Sequence, residues 1–276
     1  FRLVAEDAAN TSILATIASP ISVLLIPIGI SAWQMAAAAV RELEKPVYKG
    51  IVITKYGHVM GSVPGVTCFE AGHPVPDNNS FIGTEAILNM TANLNSNDTV
   101  LFLLSGGGSA LFEKPLVKPE VLQEVTKRML ASGADIVQMN TIRKRLSAVK
   151  GGKFAKWCAP AKVEAVVLSD ILGDPLDMIA SGPAAADSST CGQAIEIAEK
   201  HDLIVDDSVR RCLCVETPKE MSNVHTQVVG SVKALCVAAE SAAKQLGYET
   251  IFLTDQLNCE AKDAGTYLGD LLRQNK

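Results

Sequence analysis

The sequence predicts an α/β fold, with a mostly parallel sheet covered by helices on both faces. The chain is 48% hydrophobic but only 5% aromatic, and its many Ala, Val, Ile and Leu residues suit buried parallel strands. Short apolar runs alternate along the chain with longer segments of helical spacing. At 276 residues the length suffices for one large domain or two small ones. Since no repeat or low-complexity linker interrupts it, we expect one domain over residues 1–276.

The N-terminal region has no charged residue from Ala8 to Val40, which raises a membrane span as an alternative. Pro20, Pro27, several small polar residues and the lack of a basic flank argue against that alternative. The first strand, turn and helix of the sheet explain the region better: Ile21–Ile28, Gly29 and Ser31–Leu43.

The other elements follow from the same patterns. Apolar runs predict the strands Lys49–Lys55, Val66–Phe69, Thr99–Leu104, Val163–Leu168 and Glu249–Leu253. Helical spacing predicts the helices Asn79–Asn93, Lys118–Ser132, Ala134–Val149, Cys191–His201, Asp207–Val215, Val228–Leu246 and Glu260–Gln274.

A glycine-rich loop follows the central strand. Gly106, Gly107 and Gly108 can take positive φ and leave no Cβ in the way of a ligand, and the hydroxyls of Ser105 and Ser109 add donors at the rim. These features favour anionic oxygens as the ligand. The loop matches none of the dinucleotide, P-loop or nucleophile-elbow fingerprints, and a strand-to-helix turn without a ligand is the alternative.

A second loop, EAGHPVPD, follows the strand that begins at Val66. It puts the Glu70 carboxylate and the His73 imidazole three residues apart at the carboxyl end of a strand, where open α/β sheets bind ligands. A surface loop with an incidental histidine is the alternative reading.

The densest cationic run lies further along the chain: Arg143, Lys144, Arg145, Lys150 and Lys153. A solvated helix face is the ordinary explanation of such a run. However, the helix must break at Gly151 and Gly152, and a break flanked by two ammonium groups can hold a phosphate.

Two carboxylates, Asp170 and Asp174, follow the predicted strand Val163–Leu168. They could hold Mg²⁺, which binds few protein ligands alongside substrate phosphates. A turn stabilised by an aspartate side chain is the alternative.

Charge and cysteine content limit the partners and the compartment. A net charge of −5 without a long basic run argues against nucleic acid. The seven cysteines are scattered, odd in number and never spaced as CxxC, which indicates free thiols in a reducing compartment such as the cytoplasm.

Four motifs in this order resemble the class II glycerate 2-kinases: EAGHPVPD, LSGGGSALFEKP, MNTIRKRLSAVKGGKFA and SDILGDPLDMIASGPAAAD. The resemblance implies a three-layer Rossmann-like domain. It also implies ATP-dependent phosphorylation of D-glycerate at its 2-hydroxyl, with Mg²⁺, to give 2-phosphoglycerate and ADP. Members of that family carry a C-terminal leucine-rich domain of the MOFRL type, which we expect this chain to lack.

The resemblance also implies roles for particular residues. Lys153, Arg143 and Lys150 would be catalytic. The substrate and its phosphate would contact Ser105, Gly106, Gly107, Gly108, Ser109, Glu70 and His73. Mg²⁺ would be held by Asp170, Asp174 and Asp187.

At one position the chain departs from the family. Ile30 stands where the family has a lysine, and isoleucine cannot neutralise charge on phosphate oxygens. A domain that binds anions or nucleotides without turnover is therefore the alternative to the kinase. A hydroxy-acid oxidoreductase is a third reading, which the missing dinucleotide fingerprint disfavours. We expect D-glycerate and ATP as partners, without nucleic acid or membrane, and leave homodimerisation open.

Overall fold

A sheet of six parallel strands organises the part of the chain that the computed structural model describes, residues 22–43 and 47–274. The strands are β1 (Ser22–Ile28), β2 (Lys49–Lys55), β3 (Val66–Ala71), β4 (Asp98–Leu104), β5 (Lys162–Leu168) and β6 (Val224–Gly230). Their order across the sheet is β3-β2-β1-β4-β5-β6, and every neighbouring pair is parallel.

The order of the strands reverses at the middle of the sheet. The chain moves outward from β1 to β3 on one side and from β4 to β6 on the other. Strands β1 and β4 pair along their whole length, from Ser22 opposite Asp98 to Ile28 opposite Leu104. The loops that follow these two strands therefore leave the sheet side by side, at the place where open α/β sheets bind ligands.

Helices α1 to α8 belong to the compact unit that ends at Ser231, and helices α9 and α10 belong to a second unit that begins at Val232. In the first unit the helices are α1 (Ala32–Glu42), α2 (Asn78–Met90), α3 (Gly108–Leu111), α4 (Pro119–Ala131), α5 (Ile136–Leu146), α6 (Lys153–Cys158), α7 (Cys191–Lys200) and α8 (Asp207–Leu213), with a short 3-10 helix at Ile179–Ser181. In the second they are α9 (Val232–Gln245) and α10 (Ala261–Gln274).

Alternate residues of a strand point to opposite sides of the sheet. In the central strands the residues on both sides are buried, and each side contributes to its own apolar cluster. Val100, Phe102 and Leu104 join one apolar cluster, in which the Phe102 ring packs against Phe154 with 4.9 Å between the ring centroids. Leu101 and Leu103 join the other cluster, together with residues of β1 and α1. The fold is thus the three-layer α/β arrangement that the sequence predicts.

Most predicted elements are confirmed within a few residues. The sixth strand was missed, because the polar residues His225, Thr226 and Gln227 interrupt the apolar residues of Val224–Gly230, at the edge of the sheet. The helix predicted from Val228 consequently begins at Val232. The strand predicted at Glu249–Leu253 is wrong: the segment has no regular secondary structure and pairs with no described strand, and Ile251 is 75% exposed.

Two further expectations concern the membrane and the thiols. Within residues 22–43 and 47–274, no helix has the length and hydrophobicity needed to cross a bilayer. The start of the uncharged region, including Ile21 of the first predicted strand, lies outside the described residues. All seven cysteines are free thiols, as predicted.

Candidate active site

The loops after β1 and β4 are hydrogen-bonded to each other. Ile30 N–H donates to the Gly106 carbonyl at 2.9 Å, and Ser31 N–H donates to the Ser105 hydroxyl at 3.1 Å. Gly29 has φ +131°, and a Cβ there would lie 2.1 Å from Ser105 Oγ. Glycine is required at this contact, because any side chain would separate the two loops.

Gly107 is the meeting point of three loops. It adopts φ +86°, and a Cβ on it would lie 2.9 Å from Ile30 Cγ1 and 3.0 Å from His73 Cδ2. The half-buried His73 imidazole makes no hydrogen bond with another described residue. An imidazole with free nitrogens therefore lies beside the glycine-rich backbone, as the motif EAGHPVPD predicted for the carboxyl edge of the sheet.

Asp170 lies on the other side of the same loop. A Cβ on Gly106 would come 2.2 Å from Asp170 Oδ2, so the carboxylate rests directly against that backbone. Asp170 is exposed and has no hydrogen-bond or ion-pair partner among the described residues. Asp174, four residues later, takes φ +51°, and its Oδ1 is buried without a partner.

Asp187, the third predicted metal ligand, belongs to a buried ion-pair cluster. Its carboxylate accepts hydrogen bonds from Lys144 Nζ at 3.1 Å and Thr217 Oγ1 at 2.7 Å, and Arg145 lies 3.6 Å away. Burial works to raise the pKa of Asp187, but the hydrogen bonds from Thr217 and Ser189 and the charge of Lys144 outweigh it and hold that pKa below its ordinary value. Across the described ranges, no three His, Cys, Asp or Glu side chains come together as a metal site.

Glu70 organises the loop after β2. One carboxylate oxygen accepts from the backbone N–H groups of His58 and Val59, at 3.0 and 2.9 Å. Backbone hydrogen bonds, that of Val59 first, keep the pKa of Glu70 below its ordinary value. His58 Nδ1 in turn lies 3.1 Å from the Ile30 carbonyl. Glu70 thus holds the neighbouring loop against the site.

Lys150 is buried against the segment that follows the glycine-rich loop and α3. Its ammonium donates to the Phe112 carbonyl at 2.9 Å and to the Glu113 carboxylate, and burial lowers its pKa. Arg143 is half-buried and makes no hydrogen bond or close ion pair with another described residue. Burial lowers the pKa of Arg143, while the negative charge of Glu113 opposes that shift. Arg143 is accordingly a guanidinium whose donors are free for a ligand.

Lys153 stabilises the end of α5. Its ammonium donates to the carbonyls of Lys144, Arg145 and Ser147, at 2.9, 3.4 and 2.6 Å. These are the carbonyls that lack partners at a helix C-terminus. The three bonds use all three N–H donors, and burial lowers the pKa of Lys153 to about 8.

The last loop of the site has a strained backbone. Ala180, Ser181 and Gly182 are consecutive left-handed residues, with φ of 51°, 61° and 65°. For a residue other than glycine this conformation costs about 1–3 kcal/mol. Ala180 packs on Gly108, where a Cβ would lie 2.7 Å from Ala180 Cβ, and Ser181 Oγ lies 2.9 Å from Ser109 Oγ.

Apart from Arg143 and Asp174, the predicted site residues divide into two groups. One group meets around the glycine-rich loop: Ser105, Gly106, Gly107, Gly108, Ser109, His73 and Asp170. In the other, Lys150, Lys153, Asp187 and Glu70 have the protein partners described above. The structure adds Asn140 and Ser181 to the site. No signal in one sequence joins them to Ser109, because they are 31 and 72 residues from it in the chain.

The chain resembles known proteins over most of its length. Residues 2–214 match the family described as "Domain of unknown function (DUF4147)". The D-glycerate 2-kinase of Thermotoga maritima is 49% identical over 256 residues, which are 92% of this chain and 61% of that protein. A putative hydroxypyruvate reductase of Agrobacterium vitis is 35% identical over 260 residues, 90% of this chain and 58% of that protein.

A solved structure has the same fold. The crystal structure of glycerate kinase from Thermotoga maritima superimposes with a TM-score of 0.91 at 46% identity, over 98% of this chain and 65% of that one. The chain spans about three fifths of the length of the curated relatives named above. From these matches and the four motifs, the chain belongs to the DUF4147 family and to the glycerate 2-kinase family.

Proposed function

We propose that the chain belongs to a glycerate 2-kinase that transfers a phosphoryl group from ATP to the 2-hydroxyl of D-glycerate, giving 2-phosphoglycerate and ADP. The observation that carries the proposal is the meeting of Ile30, His73 and Asp170 at the backbone of Gly106 and Gly107, at the point where the strand order reverses. The relative named D-glycerate 2-kinase supports the same activity.

Phosphoryl transfer requires positioning and charge neutralisation more than covalent chemistry. The backbone N–H groups of Gly106 to Gly108 would bind a phosphate or the glycerate carboxylate, and the free guanidinium of Arg143 would neutralise charge. His73 would contact the substrate beside Gly107.

A magnesium ion fits the carboxylate of Asp170. That group is exposed and unpaired among the described residues, and Mg²⁺ usually takes one or two protein carboxylates in addition to water and substrate phosphates. When bound there, Mg²⁺ would neutralise charge on the phosphates of ATP. We assign Asp187 to the buried ion-pair cluster instead, because Lys144, Thr217 and Ser189 already use its oxygens.

The sequence predicts catalytic roles for Lys150 and Lys153, but their contacts favour structural roles. Their ammonium groups donate to Glu113 and to the carbonyls at the end of α5. We therefore propose that they fix the loop and the helix around Arg143, and that Arg143 is the cation that contacts the ligand.

Two observations favour other functions. Ile30 at the lysine position favours binding without turnover, since an isoleucine side chain carries no charge that could neutralise phosphate oxygens. The name of the Agrobacterium relative favours a reductase, although the loop SGGGSAL lacks the dinucleotide fingerprint.

Three parallel measurements separate the three functions. The chain is mixed with ATP, Mg²⁺ and D-glycerate, and ADP release is followed by a coupled reaction. In parallel, binding is measured by calorimetry, and NAD(P)H absorbance is followed with hydroxypyruvate. ADP release that requires D-glycerate supports the kinase. Binding without ADP release supports the anion-binding domain, and oxidation of NAD(P)H supports the reductase.

We also propose that the protein works in the cytoplasm, where a reducing environment keeps its seven thiols free. Assembly as a homodimer remains a proposal, which the mass of the chain in solution would test by light scattering.

A further inference from the structure

A chain of three polar side chains runs from the interior to the glycine-rich loop. Ser109 Oγ lies 2.9 Å from Ser181 Oγ, and Ser181 Oγ donates to Asn140 Oδ1 at 2.9 Å. Ser181 is 0% exposed and Asn140 4% exposed, whereas Ser109 is half-buried at the loop. The chain thus connects two buried groups to one that a ligand can reach.

The direction of the hydrogen bonds follows from the chemistry of the Asn140 amide, at the buried end of the chain of side chains. An amide oxygen only accepts, so the single proton of the Ser181 hydroxyl is used toward Asn140. The bond between the two serines must then be donated by Ser109. After donating its proton, the Ser109 oxygen has only lone pairs to offer at the loop.

The amide orientation of Asn140 is consistent with this direction. The Asn140 NH₂ group faces Met178 Sδ at 3.6 Å, and a thioether sulfur accepts hydrogen bonds weakly but cannot donate. Turning the amide over would point its oxygen at the sulfur and place two acceptors face to face. The sulfur therefore fixes which end of the amide meets Ser181.

The backbone holds Ser181 in this position. Ser181 has φ +61° between two further left-handed residues, its N–H donates to the Met178 carbonyl at 3.0 Å, and its carbonyl accepts from Gly151 N–H at 3.0 Å. Strained conformations of this kind persist where the surroundings over-determine them, and they cluster at functional sites.

We infer that Asn140 and Ser181 are positioning residues that set Ser109 as a hydrogen-bond acceptor, so that Ser109 receives a hydroxyl group of the substrate and not an anionic oxygen. This inference rests on the proposed function, since it names the part of the hydroxy acid that meets Ser109. It also replaces the expectation that Ser109 donates to phosphate or carboxylate.

Neutron diffraction from crystals of the unliganded chain in D₂O tests the direction of the relay. We expect a deuteron on Ser109 Oγ that points to Ser181, and a deuteron on Ser181 Oγ that points to Asn140. A deuteron on Ser181 that points to Ser109, with the Asn140 ND₂ group facing Ser181, would overturn the inference. This result does not depend on any activity of the chain.

The selectivity of ligand binding tests whether Ser109 accepts a hydrogen bond from a substrate hydroxyl. Calorimetric titrations compare D-glycerate with D-lactate and 3-hydroxypropanoate, each of which lacks one of its two hydroxyls. We expect the wild-type chain to bind one of these analogues about 10-fold more weakly than D-glycerate, the usual effect of losing one hydrogen bond. The variant S181A removes the group that holds the Ser109 hydroxyl in place. The Ser109 lone pairs are then no longer fixed toward the substrate hydroxyl, so this preference should fall to about twofold or less.

Thr141→Ala is the matched control, because it removes a buried hydroxyl next to Asn140 that donates to the Val137 carbonyl and not to the relay, so the preference should remain. Retention of the full preference in S181A, or its loss in both variants, would contradict the inference. If D-glycerate does not bind to the wild-type chain, the proposed function fails, and the neutron result alone decides the direction of the relay. Since that crystal uses the wild-type chain, the inference can still be tested if S181A does not fold.

Discussion

The carboxylate of Asp170 lies against the α-carbon of Gly106, so closely that a Cβ at this glycine would come within 2.2 Å of Oδ2 and 2.8 Å of Cγ. The two residues are 64 positions apart, at the ends of neighbouring strands β4 and β5. This contact joins the glycine-rich loop to the carboxylate that we propose as a ligand of Mg²⁺. A side chain at position 106 should therefore change the position of that carboxylate.

Replacing Gly106 by alanine should displace the Asp170 side chain and leave the fold intact. We expect glycerate-dependent ADP release to fall by about 100-fold, as small misplacements of catalytic groups can cause. The free energy of unfolding in urea should change by less than about 1 kcal/mol, because an exposed side chain can move. The control is Gly192→Ala on α7, where the nearest atom would lie 3.8 Å from the new Cβ. Unchanged ADP release in G106A would show that the position of Asp170 is unimportant.

The variants D170N and D187N should separate the proposed metal ligand from the buried ion-pair cluster. D170N should lower activity by about 100-fold and raise the Mg²⁺ concentration required, with little change in stability. D187N should cost about 3 kcal/mol, since it removes the buried counter-charge of Lys144 and Arg145 and leaves them only the more exposed carboxylates of Asp177 and Glu216. Urea unfolding at pH 7 and a Mg²⁺ titration of ADP release measure both effects. A stable D187N chain with an altered Mg²⁺ requirement would reverse the two assignments.

The acid stability of D187N gives a second readout. The folded pKa of Asp187 is lowered, so its contribution is present above the ordinary carboxyl pKa and is lost as pH falls through the folded pKa. The difference in stability between wild type and D187N should therefore shrink below about pH 4. A difference that stays constant to pH 2 would contradict the ion-pair account.

Restoring a lysine at Ile30 should improve phosphoryl transfer. The Ile30 side chain lies beside Gly107, where an ammonium group could neutralise phosphate charge as the family resemblance implies. We expect I30K to raise the rate of ADP release by about 10-fold or more. I30M supplies similar bulk without charge and should leave the rate unchanged. Equal rates in the three proteins would remove Ile30 from the explanation of any weak activity.

Because of Lys153, the free energy of unfolding should change with pH in the alkaline range. Its folded pKa of about 8 is below that of a lysine in the unfolded chain, so the unfolded state binds more protons between these values. Stability should therefore rise with pH in this window, by about 2 kcal/mol between pH 7 and 9.5. The variant K153M lacks the group, and the difference between the two unfolding curves isolates it. A difference that does not change with pH would show that burial does not lower this pKa.

The sequence predicts the sheet where strands are buried on both faces. Val100–Leu104 is a continuous apolar run, and Ile51–Ile53 is the apolar centre of Lys49–Lys55. Both predicted segments are strands within one residue of the predicted bounds. Strand β6 was missed since His225 and Gln227 interrupt its apolar residues, which is normal for an edge strand with exposed positions. The strand predicted around Ile251 follows β-propensity alone, and propensity does not form a strand without a partner.

The loops of the site can be predicted from the sequence, but the ion pairs between its charged side chains cannot. The glycines and the EAGHPVPD segment identify the edge of the sheet, because strand ends and turn residues are local signals. Lys144 pairs with Asp177 and Asp187, 33 and 43 residues away, so nothing local distinguishes it from a solvated lysine. The same holds for Lys150 and Glu113, 37 residues apart.

The most direct test of the account is where ligands bind. The amide resonances of ¹⁵N-labelled chain are recorded while D-glycerate and ADP are added with Mg²⁺. We predict saturable shifts at Gly106, Gly107, Gly108, Ile30 and His73, at the reversal of strand order. Saturable shifts confined to other parts of the chain, with these five unchanged, would contradict the claim that the strand-end loops form the active site.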